Sequence, residues 1–526
     1  MAPVDIPRAF NAATWFVDRH VAEGRASRLA VRYGGRDITY GDVRAGANRC
    51  GNGLRRLGVG MEQRVVLLLP DGPEFVYAFW GALKIGAVPI PTNTLLKPRD
   101  YEYILNDSRA QVAIAGEELA PAIEAVRPRL PCLRHLVVAG RAGPGQMGLS
   151  ELVTAESGEL DPAATTKDDV AFWLYTSGTT GTPKAAVHLH HDMVVCCEAF
   201  GRHVLEIGPE DRCFSVARLF FAYGLGNALY FPFHVGAATV LDPRRPEPVK
   251  VFEILTRERP TLFFAVPTAF AAMLQVADAE RRYDLRSVRL CLSAGEPLPK
   301  PIYERWLERF GLEILDGIGS TEMCHTFIAN RRGKVCPGSS GTLVPGYDAM
   351  IVDDAGHALP PGEIGNLLVK GDSACAGYWN QHERSQQTFV GEWVRTGDKY
   401  RQDAAGHFWY AGRSDDMMKV GGLWVSPVEV ENALMAHQAV LECGVVGHED
   451  RDALVKPMAF VVLRDAARAT PELAEELQQF VRQRLAEYKR PRWVAFLPEL
   501  PKTATGKIQR FRLRELAVDA RAVKAV

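Results

Sequence analysis

Between Ile38 and Ala87 the chain changes twice from helical to extended spacing, and this alternation limits its fold more than any other feature. "ITYGDVRAGANRCGNGLRRLG" repeats apolar residues at helical intervals, "RVVLLLP" is a short apolar run, "EFVYAFWGALKIG" is helical again and "AVPIP" is extended. Wholly apolar strands need cover on both faces, and helices of this length between them act as crossovers of a parallel sheet. The same rhythm returns in "TLFFAVP", "AAMLQVADAE", "RLCLSAG" and "IYERWLERFG". Two such stretches predict two related sheet layers, hence a mixed α/β chain.

From Arg332 to Arg413 the texture changes to short β-like segments with Gly, Pro and Asp turns, as in "GEIGNLLVKG" and "GHFWYAGR". "SDDMMKVGG" follows, polar and rich in glycine, and then a fresh compact pattern to about Glu515. The boundary is placed at Arg413–Asp415, giving a large domain over 1–413 and a small one over 414–526.

A chain of 526 residues has room for two cores. Its net charge of −1 gives no bulk attraction to nucleic acid or an anionic membrane. Ten cysteines without a C-x-x-C pair suit reduced thiols better than a disulfide framework or zinc site. The start, "MAPVDIPRAFNAATWF", lacks a basic flank ahead of an apolar stretch, so no signal peptide is expected. No apolar run is long enough to span a bilayer as a helix. A cytoplasmic protein is expected.

"AFWLY" (171–175) reads as a strand and 176–183 as the loop after it. Thr176, Ser177, Thr179 and Thr180 offer hydroxyl protons, Gly178 and Gly181 admit an anion close to backbone N–H groups, and Lys184 adds charge. The spacing is not that of a Walker A loop, because Pro183 precedes Lys184 and Ala185 follows it. Clusters of Ser, Thr and Gly are also ordinary surface turns. By itself the loop is compatible with either role.

Four further stretches accompany it in order: "DGIGSTE" (316–322), "VRTGDKY" (394–400), "GRSDDMMKVGGLWVSPVEVE" (412–431) and "LPKTATGKIQR" (500–510). Together the five resemble the adenylate-forming superfamily of acyl-CoA synthetases, luciferases and peptide-synthetase adenylation domains. Within it, "RLFFAYGLGN" (218–227), "SAGEPLP" (293–299) and "DGIGSTEMCH" (316–325) are most similar to benzoate-type aryl-CoA ligases. The resemblance implies a large N-terminal domain of two doubly wound sheets plus a small distorted β-barrel, and a small mobile α+β C-terminal domain. It implies that a carboxylate attacks the α-phosphate of ATP to give an acyl-AMP and pyrophosphate, and that the thiol of coenzyme A then displaces AMP. Catalysis of the first step, which joins two anions, rests on positioning and charge neutralisation.

The resemblance also assigns roles. The loop (Thr176, Ser177, Gly178, Thr179, Thr180, Lys184) would cradle the β- and γ-phosphates, with Glu322 on Mg²⁺ and Thr321 on the α-phosphate. Asp398, with Arg413 beside it, would bind the ribose hydroxyls. Gly295, Glu296 and Pro297 would pack on adenine with Asp316 near its amino group, alongside Gly317 and Ile318; many relatives carry an aromatic residue where Ile318 stands. Lys507 corresponds to the lysine bridging carboxylate and α-phosphate, and Asp415 to the hinge about which the small domain rotates between half-reactions. That rotation would present Lys419, Gly421 and Gly422 to the pantetheine arm.

The acid pocket of the family falls on Phe221, Ala222, Tyr223, Ala294, Gly319 and His325, with Thr326 as a wall. Small residues at 222, 294 and 319 leave a flat slot that suits a planar ring, with Phe221 as an apolar lid. Thr326 with His325 and Tyr223 would satisfy a ring amino or hydroxyl group, which favours 2-aminobenzoate over benzoate. A carrier-protein thiol is the alternative acceptor to free CoA, and monomer and homodimer stay open. Histidines 188, 190 and 191, with no carboxylate or cysteine partner apparent nearby, receive no catalytic role.

Overall fold

The computed structural model describes residues 4–144, 146–177, 183–414, 416–420, 423–450, 454–502 and 508–519, with backbone only at 177, 419, 423, 424, 467 and 519. The first apolar stretch forms a five-stranded sheet, all parallel, ordered Val88–Pro91, Arg64–Leu68, Val112–Gly116, His135–Ala139, Met147–Gly148. Its helices begin where the sequence supplies caps. Thr39 Oγ accepts from the Asp42 N–H of the helix Tyr40–Arg56 and Asp42 reaches back to the Thr39 N–H, a reciprocal capping box. That helix crosses Pro73–Lys84 so closely that a Cβ on Gly81 would lie 2.6 Å from the Ala47 carbonyl oxygen. The two glycine-bearing helices are thereby pressed together over the sheet.

The second stretch forms a nine-stranded sheet. Six parallel strands lie side by side in the order Ile314–Gly319, Leu290–Ser293, Leu262–Ala265, Arg212–Ser215, Ala238–Leu241 and Leu29–Tyr33. Antiparallel strands flank them: Arg36–Thr39 at one edge, Thr326–Ala329 and then Thr342–Leu343 at the other. The N-terminal hairpin thus crosses to the second sheet, a long-range pairing that alternation alone does not reveal.

A separate hairpin pairs Val170–Ser177 with Pro183–Leu189. The short segments after Arg332 form a five-stranded antiparallel sheet from Asp348–Val352, Gly365–Lys370, Phe389–Val390, Trp393–Gln402 and Phe408–Arg413. From Met418 onward the chain is α+β. Val440–Glu449 pairs antiparallel with Val455–Leu463, Trp493–Phe496 joins in parallel, and helices Pro427–Met435, Pro471–Arg482 and Arg510–Asp519 accompany them. Buried apolar clusters form up to Phe408 and again from Met418 onward, and Met435 packs against one of each. No described helix is long and apolar enough to cross a membrane.

Candidate active site

Parallel strands place all their carboxyl ends on one edge, where loops can converge on a ligand. Three strands of the nine-stranded sheet deliver candidate residues there. Leu290–Ser293 runs into Ala294–Pro297, Ile314–Gly319 contains Asp316–Gly319, and Arg212–Ser215 leads to Phe221–Tyr223. Gly295 turns at φ +90°, a left-handed conformation that glycine adopts without a steric cost.

The candidate phosphate loop differs in form from the sequence expectation. The strand continues through Thr176 and Ser177, and Pro183 already begins the return strand, with Thr176 opposite Lys184. The connection is a hairpin, and Thr176 and Lys184 stand on its paired arms. Gly178, Thr179 and Thr180 lie outside the described residues.

Lys184 and Glu322 do come together. Their charged atoms are 3.5 Å apart. Between them stands Tyr378, which sequence reasoning missed: Lys184 Nζ donates to Tyr378 Oη at 2.6 Å, and Tyr378 Oη donates to Glu322 Oε1 at 2.6 Å. Burial alone would push the Glu322 carboxyl up, but the Lys184 ammonium and the Tyr378 hydroxyl hold it below the usual carboxylate range. The segment carrying Tyr378 is fixed by the hairpin: Trp379 N–H donates to Ala185 O at 3.0 Å and Val187 N–H to Gly377 O at 3.0 Å. Cys375 N–H donates to Glu322 O at 2.8 Å.

The turn carrying Thr321 and Glu322 is held from behind by a histidine to which the sequence assigned nothing. His188 Nε2 donates to the Thr321 carbonyl at 2.8 Å, and His188 Nδ1 lies 2.7 Å from Asp192 Oδ2. The expectation that these histidines lack carboxylate partners is therefore corrected. Asp192 follows four residues later, at the start of the helix Asp192–Cys196, and Asp168 stands 3.6 Å from His191. Among the described residues there is still no group of three or more His, Cys, Asp or Glu placed to hold a metal. A lone Glu322 fits Mg²⁺, which commonly takes one or two carboxylates and completes its shell with substrate phosphates and water.

Asp398 and Arg413 are directly opposed on antiparallel strands, and Arg413 Nη1 donates to Asp398 Oδ1 at 3.0 Å. Arg413 is also within electrostatic reach of Glu322. The candidate ribose and phosphate residues thus share one electrostatic neighbourhood. Asp316 is buried and accepts from the Leu298 N–H at 3.3 Å, and burial pushes its carboxyl well up. Ile318 is partly exposed beside it.

In the candidate acid pocket, Ala294 is buried while Phe221, Ala222 and Tyr223 are half-buried. Gly319 has no room for a side chain, since a Cβ there would lie 2.5 Å from the His325 carbonyl oxygen. Its smallness thus serves the close approach of two strands as well as any ligand. Both ring nitrogens of His325 are engaged: Nε2 with the Tyr223 carbonyl at 3.2 Å, Nδ1 with Thr326 Oγ1 at 3.0 Å. Burial pushes His325 down to about 3, so the ring is neutral at ordinary pH. Tyr223 joins this polar wall through its backbone, and its hydroxyl is buried beside Asn227. Asp415, Gly421, Gly422 and Lys507 lie outside the described residues, as does the side chain of Lys419.

Residues 18–379 match the AMP-binding enzyme family and residues 429–507 the AMP-binding enzyme C-terminal domain. The benzoate–CoA ligase of Thauera aromatica is 48% identical over 513 residues, 97% of this chain and 97% of that one. Among solved structures, the anthranilate CoA ligase AuaEII in complex with anthranoyl-AMP is 44% identical with a TM-score of 0.94, covering 98% of this chain and 99% of that one. A benzoate CoA ligase from Burkholderia xenovorans LB400 is 46% identical with a TM-score of 0.89, covering 96% and 100%.

Proposed function

The chain belongs to the AMP-binding enzyme family, and from that premise we propose that it joins a benzoate-type acid to coenzyme A, using ATP. The carboxylate attacks the α-phosphorus of ATP, the bond to the β-phosphate oxygen breaks, and pyrophosphate leaves with the electron pair. The CoA thiol, losing its proton, then attacks the acyl carbon and expels AMP. The observation that carries this reading is the convergence of Lys184, Glu322 and the Asp398–Arg413 pair within one electrostatic neighbourhood.

Each residue answers one need of that chemistry. Lys184 and the hydroxyls of the hairpin hold the leaving pyrophosphate, Glu322 holds Mg²⁺ when it is bound, and Asp398 takes the ribose hydroxyls. Mg²⁺ supplies neutralisation of phosphate charge. Lys507 approaches from the C-terminal part, which we divide from the rest at Arg413–Asp415, with Asp415 as the pivot. The ten cysteines are unpaired, which supports a cytoplasmic setting.

The choice of acid follows from the direction of two hydrogen bonds. A carbonyl only accepts, so His325 Nε2–H donates to Tyr223 O; a neutral ring then has a bare Nδ1, which accepts the Thr326 hydroxyl proton. Thr326 Oγ1 is left with lone pairs and no proton. A ring group meeting it must donate, as amino and hydroxyl groups do, and 2-aminobenzoate fits this wall better than benzoate. His325 itself has nothing left to offer a substituent. Thr326→Val removes the acceptor at nearly constant volume. The ratio of kcat/KM for 2-aminobenzoate over benzoate should fall about tenfold. A ratio unchanged by the substitution would make Thr326 packing only.

Pyrophosphate release measured over benzoate, 2-aminobenzoate and the hydroxybenzoates, followed by thioester formation with free CoA, tests the whole reading. No release with any of these acids would refute it. Release without transfer to free CoA would favour a carrier-protein thiol as the acceptor.

A further inference from the structure

Tyr378 stands between two residues of opposite charge, and its place there has a consequence for how ligands enter. An ammonium only donates and a carboxylate only accepts, so the direction of both bonds is set: Lys184 donates to the hydroxyl oxygen, and the hydroxyl proton points to Glu322. The ammonium also lies 4.1 Å from the centre of the Tyr378 ring. Tyr378 is buried, and its backbone bridges to Ala186 of the strand bearing Lys184. Its neighbour Cys375 is bonded to the backbone of Glu322. One rigid segment thereby sets the position of both charged groups.

As they stand, the cation and the anion compensate each other at 3.5 Å. A polyphosphate taking Lys184 alone leaves Glu322 without its cation. A divalent cation taking Glu322 alone leaves Lys184 facing a second positive charge. Both ligands together restore alternating charge: ammonium, phosphate, divalent cation, carboxylate. Electrostatics therefore favours joint over separate occupancy.

We infer that Tyr378 is a positioning residue that sets how strongly nucleotide and Mg²⁺ depend on each other, holding Lys184 and Glu322 in a loose pair that either ligand can part. Without the hydroxyl, the ammonium and carboxylate can close to direct contact at about 2.8 Å. Both ligands would then have to break that tighter pair. The inference rests on the proposed reading of Lys184 and Glu322 as the groups facing ATP and Mg²⁺.

The test is calorimetric binding of ATP to the full chain, with Mg²⁺ and with EDTA, in wild type and Tyr378→Phe, with binding of the aromatic acid as a check on folding. In wild type Mg²⁺ should tighten ATP binding at least tenfold. In Tyr378→Phe the tighter pair must be broken once whether one ligand or both enter, so ATP binding in EDTA should weaken and the Mg²⁺ factor should grow about tenfold while acid binding is kept. An equal Mg²⁺ factor in both proteins overturns the inference and leaves the proposed function standing. Failure of wild type to bind ATP under either condition overturns the function and the inference together. If Tyr378→Phe does not bind the acid, Lys184→Gln provides the second reading. With the cation gone, Mn²⁺ should bind the nucleotide-free protein about tenfold more tightly, and unchanged Mn²⁺ affinity overturns the inference.

Discussion

Replacing Lys507 by alanine is expected to lower adenylation about 100-fold or more, while thioester formation from preformed acyl-AMP and CoA largely survives. The asymmetry follows from the charges involved. In the first half-reaction a carboxylate approaches a polyphosphate, and the ammonium is most useful where the two negative charges meet, at the transition state. In the second a thiol attacks the acyl carbon of a mixed anhydride and AMP leaves, so no carboxylate has to be brought onto a polyphosphate. Lys507 lies in "TATGK", among small residues that let a loop carry its charge into a site built on other strands. Of the described residues flanking it, Lys502 bridges to Ile508, and Lys502 Nζ pairs with Glu442 at 2.5 Å. The measurement is single-turnover pyrophosphate release beside AMP release from synthetic acyl-AMP and CoA. An equal loss in both would rule out a lysine confined to the first step, and with it the rotation about Asp415.

Glu322→Gln should be the other large loss, roughly 100- to 1000-fold in adenylation. The substitution keeps size and shape but removes the negative charge that pairs with Lys184 and accepts from Tyr378. Two effects then act in the same direction. The amide is a poor ligand for a divalent cation, and Lys184 is left with Tyr378 but without its carboxylate. Binding of the aromatic acid should be unaffected, because His325 and Thr326 belong to a separate hydrogen-bonded wall. Adenylation within tenfold of wild type would remove Glu322 from the reaction.

The two substitutions also separate what each part of the reading rests on. For Lys507 and Asp415 the whole case lies in their sequence motifs. For Glu322 the motif proposed a role, and the structure brings it against Lys184 from 138 positions away in the chain.

Five short strings announced the chemistry because their residues are neighbours in sequence. Hydroxyls and glycines in 176–181, Thr321 beside Glu322, and Asp398 within "VRTGDKY" are each marked by their immediate neighbours in sequence. The alternation of apolar strands and helices announced the parallel sheets for the same reason, since spacing along a strand or helix is a local property. Tertiary structure decided what lies between distant elements. Tyr378 reaches Lys184 across 194 residues and Glu322 across 56, and His188 holds the Thr321 carbonyl across 133. The passage of Leu29–Thr39 to the second sheet and the proton direction from Thr326 through His325 to Tyr223 are of the same kind. A tyrosine or histidine carries the same hydrogen-bonding groups wherever it stands in a chain, so only sheet pairing and burial, which fix its partners and exclude water, determine whether those groups pack, orient or take part in a site.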